Sequence, residues 1–210
     1  LDLSVKATWR GGPLRGITNH WSLWVYPKEL PAPDVKSSGL VIAHRWDRSV
    51  KETLARGGRV LLLADTADLR HVMAPSFSGI SWNTVWSGMP PNLLGIFCDP
   101  ASAALKAFLT QYYSNWQWWD LVHHSAPMLM DSLPPRMRPS VQMIPDWNHN
   151  NRIGLIFEAR VGRGSLLVTS IDLTSRLQDR PVARQMLYSL EKYAAGPGFH
   201  PDDSVSVQSI

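Results

Sequence analysis

The sequence predicts an α/β protein, a flavodoxin-like open sandwich with a mainly parallel sheet, preceded by a short β-hairpin. Three observations carry this. Short continuous apolar runs recur at LVIAH (40–44), RVLLLAD (59–65) and LLGIFC (93–98), as strands buried on both faces require. Helix-starting and helix-stopping residues fall between and after these runs, giving the alternation of a wound sheet. The first 27 residues instead alternate apolar and polar side chains, the period of half-buried strands.

In chain order, LDLSVKATW puts Leu1, Leu3, Val5, Ala7 and Trp9 at a period of two. RGGPLRG is a turn. TNHWSLWVYP is a second strand, with Trp21, Leu23 and Val25 on one face and Trp24 and Tyr26 on the other. Residues 28–38, rich in proline and serine, read as a linker, so the hairpin over 1–27 belongs to something other than the main domain at 39–196. There, LVIAH is the first strand. Ser49 and Glu52 form a capping-box pattern, Val50, Leu54 and Ala55 give an apolar face, and Gly57-Gly58 stop the helix. RVLLLAD completes a β-α-β unit. After LLGIFC, Asp99 and Pro100 suit a helix start, and Leu105, Phe108, Leu109 and Tyr112 form an i, i+3, i+4, i+7 stripe. VQMIPD is a fourth strand, and RIGLIFEARVGRGSLLVTSIDL is two strands joined at Gly162-Arg163-Gly164. The last helix starts at Asp179 and Pro181, shows a face of Val182, Met186, Leu190 and Tyr193, and ends at Gly196. Residues 197–210 are expected to be a flexible tail.

At 210 residues, 44% apolar and 18% charged, the chain supports one substantial globular domain with a small appendage. The net charge of +4 comes from scattered Lys and Arg, not a basic run, so no nucleic-acid partner is expected. No run of about 18 apolar residues marks a membrane span. The single cysteine, Cys98, leaves no internal disulfide framework and no cysteine-based zinc site. The chain opens on Leu1 rather than methionine, as expected of a processed chain or a piece of a longer one.

Cys98, between a strand and a helix, is the candidate nucleophile of a cysteine hydrolase. That chemistry needs a sharp elbow with small neighbours. Phe97 is bulky, no glycine follows two positions on, and Asp99 opposes thiolate formation. No GxSxG elbow and no GxxxxGK[ST] phosphate loop occurs. His123 and His124 are adjacent and diverge on helix or strand alike. Asp120 with Glu158 is a carboxylate pair of the type glycoside hydrolysis needs, provided their separation suits it. The sequence therefore predicts no catalytic residue, no cofactor and no metal site.

Ten tryptophans are the outlier. Trp82, Trp86, Trp116, Trp118, Trp119 and Trp147 fall in or beside loops that follow strands, where open α/β sheets collect ligands. Asp120, Asp146 and His149 lie among them. Flat apolar rings beside acids and amides suit carbohydrate, while packing beneath loops or against a neighbouring domain uses the same residues. In SNWQWWDLVHH (114–124), Trp116 and Trp119 share a helical face and Trp118 points away. One ring is therefore expected as a buried anchor and another as an exposed contact near Asp146, Trp147 and His149.

Five stretches, NHWSLWVYP, LLGIFCDPASAALKAF, YYSNWQWWDLV, VQMIPDWNHNNRIGLIFEARVGRGSLLVTSIDL and RPVARQMLYSL, together resemble the C-terminal region of large bacterial family 2 glycoside hydrolases of the β-galactosidase and β-glucuronidase type. The resemblance runs from about Thr18 to Ala195. It implies a class I amidotransferase-like fold without its triad, and makes the hairpin the remnant of a preceding immunoglobulin-like domain. It also places the catalytic glutamates in a barrel outside these residues. The function it implies is a non-catalytic accessory domain that packs on the preceding domains of a periplasmic or extracellular parent. Such a domain would touch oligosaccharide, and a homo-oligomer is compatible with it. The rival readings are a free-standing cysteine hydrolase using Cys98 and an independent carbohydrate-binding module.

Overall fold

The computed structural model describes residues 1–8, 16–65, 69, 72–73, 95–145 and 150–210. Strands β1 (Asp2–Ala7) and β2 (Ile17–Ser22) pair antiparallel from Asp2↔Ser22 to Ala7↔Ile17 as a ribbon of their own. All of their residues are exposed, and neither strand joins the main sheet.

The main sheet runs β3 (Leu40–Ala43), β4 (Arg59–Leu63), β9 (Gly164–Thr169), β8 (Ile153–Val161), β7 (Val141–Ile144) and β5 (Gly95–Cys98). The two-residue strands β6 (Met128–Leu129) and β10 (Ser204–Val205) also pair with β8. The α-helices among the described residues are α1 (Arg48–Ala55), α2 (Trp118–His123) and α3 (Pro181–Ala195).

This overturns the flavodoxin-like, mainly parallel sandwich and with it the amidotransferase-like fold. The pairs β3–β4, β4–β9 and β10–β8 are parallel, whereas β9–β8, β8–β7, β7–β5 and β6–β8 are antiparallel. Only β3-α1-β4 forms a β-α-β unit among the described residues. Continuous apolar runs report burial on two faces, and in β4 that burial is real, whereas Val41 of β3 and Phe97 of β5 are exposed. Val60 and Leu62 of β4 join Val50 and Leu54 of α1 on one side. Leu61 and Leu63 join Met186 and Leu190 of α3 on the other. Burial on two faces does not set strand direction.

The helix expected after Cys98 fails for a visible reason. Asp99 and Pro100 lead only into a 3-10 turn at Ala103–Leu105, and Leu109 takes φ 41, which a helix cannot. The chain then doubles back along β5. The Cys98 N–H donates to the Tyr112 carbonyl at 3.1 Å, and Phe97 bridges antiparallel to Tyr113. Leu105 and Phe108 are buried while Leu109 and Tyr112 face solvent, so the stripe is split.

Local signals elsewhere are shifted rather than lost. The N-cap of α1 is Asp47, whose Oδ1 accepts the Val50 N–H at 2.9 Å, not Ser49. Glu52 pairs with Arg48 and Arg56 along the exposed face. Gly57, at φ 87, turns the chain out of the helix. The expected flexible tail is also corrected. Phe199 and Val205 are buried, β10 adds to β8, and the Arg160 N–H donates to the Asp203 carbonyl at 2.7 Å. Its polar composition conceals a few well-spaced apolar anchors.

The hairpin between β8 and β9 turns at Gly162, φ 61, and brings Gly164 against α1. A Cβ on Gly164 would lie 2.6 Å from Leu54 Cα and 2.7 Å from the Gly58 carbonyl oxygen. Both are backbone atoms, which cannot rotate aside. Gly164→Ala is expected to cost about 1–3 kcal/mol of unfolding free energy, read as a lower urea midpoint at unchanged slope. An unshifted midpoint would refute this tight approach.

Candidate functional site

Residues 114–124 build the site around one buried ring. Trp118 is 0% exposed, donates its indole N–H to Thr110 Oγ1 at 2.9 Å, and packs edge-on to Phe108 with centroids 5.2 Å apart. With Leu121 and Val122 it fixes the inner face of α2. Trp116 and Trp119 therefore turn outward, 72% and 46% exposed. Trp118 is an anchor and not a contact residue, which corrects its inclusion among the contacts. The ring of His123 lies against Trp119, centroids 4.3 Å apart.

Opposite this face lies the end of the ribbon. Leu3, Trp21, Leu23, Trp24 and Tyr26 line one wall of a groove of about 390 Å³. Trp116, Gln117, Trp119 and Asp120 line the other, with Val182 of α3. The walls are tied together where the Tyr26 hydroxyl donates to Gln117 Oε1 at 2.6 Å. Burial pushes the Tyr26 phenol well above its ordinary value, so it stays a donor.

Asp120 is held in place by charge. Arg180, 6% exposed, donates Nε–H to both Asp120 oxygens at 3.1 and 3.0 Å. Its Nη1 donates to the carbonyls of Asp172 and Ser175 at 2.9 and 3.1 Å. The Asp172 carboxylate lies 3.6 Å from Nη1. Burial would raise the Asp172 carboxyl, but hydrogen bonds from the backbone N–H groups of Ser175 and Thr174 and from their side chains outweigh it, lowering it to about 2. The Asp172 carboxylate thus stays ionised through neutral pH. Its contribution is present in full above the ordinary aspartate range and is lost as pH falls from there through about 2. His124 Nδ1 sits 3.2 Å from Asp120 Oδ1.

Chemically, the groove offers indole rings and a fixed carboxylate, while the Gln117 amide is buried and already engaged by the Tyr26 hydroxyl and the Leu109 carbonyl. Cys98 does not belong to it. The thiol is 0% exposed and donates to the Gln111 carbonyl at 2.8 Å. Burial pushes its pKa up and Asp99 adds to this, against a smaller lowering by Thr110. Labelling of Cys98 by Ellman's reagent at neutral pH is therefore expected to be at least ~100-fold slower in native protein than in denaturant. Comparable rates in both would restore the nucleophile.

Asp120 and Glu158 are not a catalytic pair either. Asp120 sits at Arg180, just before α3, while Glu158 accepts a hydrogen bond from Tyr193 near the far end of the same helix. At ~1.5 Å per helical residue those positions are roughly 20 Å apart, about twice the widest glycosidase spacing. Burial pushes the Glu158 carboxyl up, and Tyr193, buried beside it, is pushed up as well.

Of the contacts expected from sequence, Trp116, Trp119 and Asp120 converge on the groove. Trp82, Trp86, Asp146, Trp147 and His149 lie outside the described residues. Trp21, Trp24 and Tyr26 were not expected there, nor was Arg180 behind Asp120. The alternation in TNHWSLWVYP exposes the ribbon's aromatics, but assigning the ribbon to another domain removes them from the site. Nothing local marks Arg180, whose acidic neighbours come from α2 and from the loop after β9.

Among the described residues, no three histidine, cysteine, aspartate or glutamate side chains gather as a metal site, and no helix is long and apolar enough to cross a membrane. No curated protein matches the chain. Residues 41–210 match the model of one family, so the match begins inside β3 and leaves the ribbon outside it. The chain belongs to that family, the Domain of unknown function DUF8487.

Proposed function

We propose that this chain is a non-catalytic accessory domain of a family 2 glycoside hydrolase, which packs on the parent's other domains and touches carbohydrate through the aromatic groove. The observation that carries the reading is the groove: Trp21, Trp24, Trp116 and Trp119 beside a carboxylate fixed by Arg180. Pyranose rings present flat C–H faces to indoles and hydroxyls to acceptors such as Asp120. The resemblance of residues 18–195 to the C-terminal region of such hydrolases supports the same reading. So does the sealed Cys98, which leaves the cysteine-hydrolase alternative without a reactive thiolate.

The ribbon supports the packing part. Val5 and Ile17 are exposed along it outside the groove, and an isolated two-stranded ribbon is marginal in water. Its natural neighbour in this reading is a preceding immunoglobulin-like domain of a secreted or periplasmic parent.

Native gel electrophoresis through galactan and other plant polysaccharides tests the carbohydrate role. Retardation is expected, together with a fluorescence change on adding soluble fragments. Trp119→Ala should weaken binding about tenfold, the worth of one stacked ring. No retardation by any polysaccharide, with no fluorescence response, would refute the reading.

A further inference from the structure

We infer that the groove takes neutral glycans and discriminates against those bearing uronic-acid carboxylates, an inference that rests on the carbohydrate role proposed above. Its walls carry a single formally charged side chain, Asp120, and no lysine or arginine. The guanidinium paired with that carboxylate, Arg180, stands behind it. It is 6% exposed, is absent from the walls, and is engaged with Asp120 and the Asp172 backbone. Its Nη2 has no hydrogen-bond partner among the described residues, but it is buried where a polymer does not reach.

The rings act in the same sense. Trp21, Trp24, Trp116 and Trp119 line the groove, and the face of an indole carries a negative quadrupole that repels anions. A carboxylate brought between them would also lose hydration without a counter-charge to replace it. A neutral pyranose meets none of these costs. Its C–H faces suit the indoles, and its hydroxyls donate to Asp120. Two unit negative charges within about 6 Å at a partly screened surface weaken binding by about tenfold or more.

The test compares galactan fragments before and after oxidation of C6 to carboxylate, titrated into the whole chain at pH 8 and followed by tryptophan fluorescence. The neutral fragment is expected to bind at least about tenfold more tightly at 10 mM salt. Raising salt to 0.5 M should narrow the gap by strengthening only the oxidised fragment, because screening acts on the repulsion. Asp120→Asn should bring the two affinities within about threefold of each other. The salt series on unaltered protein stands even where that variant does not fold. Equal binding of both fragments at low salt overturns this inference and leaves the carbohydrate role intact. Solvent-accessible tryptophans that respond to neither fragment make the groove a seat for another domain, and overturn both.

Discussion

Trp118→Ala lowers the free energy of unfolding by about 3–5 kcal/mol, the range for deleting a fully buried aromatic ring. The indole is 0% exposed, packs on Phe108, and satisfies Thr110 Oγ1 through its N–H. Alanine leaves a cavity under α2 and removes the donor to the Thr110 hydroxyl, which keeps only its bond to the Gln111 carbonyl and its contact with Cys98. A helix of six residues has little intrinsic stability with which to close over that cavity. Trp119→Ala, one residue on and half exposed, is expected to cost less than about 1 kcal/mol. Urea unfolding followed by far-UV circular dichroism measures both. Similar losses for the two variants would mean that α2 is not oriented by Trp118.

Arg180→Ala is expected to cost about 3–5 kcal/mol, because it strands two carboxylates that share one buried guanidinium. Nε spans both Asp120 oxygens, and Nη1 reaches two carbonyls and the Asp172 carboxylate. Lysine keeps the charge but not the fork, so Arg180→Lys should recover only part of the loss. The same urea series reads this, and full recovery by lysine would show that charge alone matters. In Arg180→Ala, Asp120 also loses its fixed position, so carbohydrate affinity should fall along with stability.

What the sequence made legible follows from which physical signals are local. Burial of β4 on two faces is written in Val60 to Leu63, and the stop of α1 in Gly57. The division of labour within SNWQWWDLVHH is written in spacing, since Trp116 and Trp119 cannot share a side with Trp118 on a helix. Strand direction is not local. β7 lies antiparallel between β5 and β8, although VQMIPD has the texture of a parallel strand. The lost helix after Cys98 shows a good amphipathic stripe overruled by a chain that returns to cover β5. The groove was half legible. Its α2 wall could be expected, whereas its ribbon wall is contributed by residues almost a hundred positions earlier.

The position of β9 between β4 and β8 has a consequence for how the chain is made. β4 ends at Leu63, and the strand that covers its open edge begins only at Gly164. At roughly 5–20 residues per second, the ribosome leaves that edge uncovered for about 5–20 s. During this interval Leu61, Leu62 and Leu63 present an apolar, unpaired strand to every other nascent chain nearby. Synthesis rate and chaperone supply, more than the stability of the finished fold, should therefore limit the soluble yield of this protein.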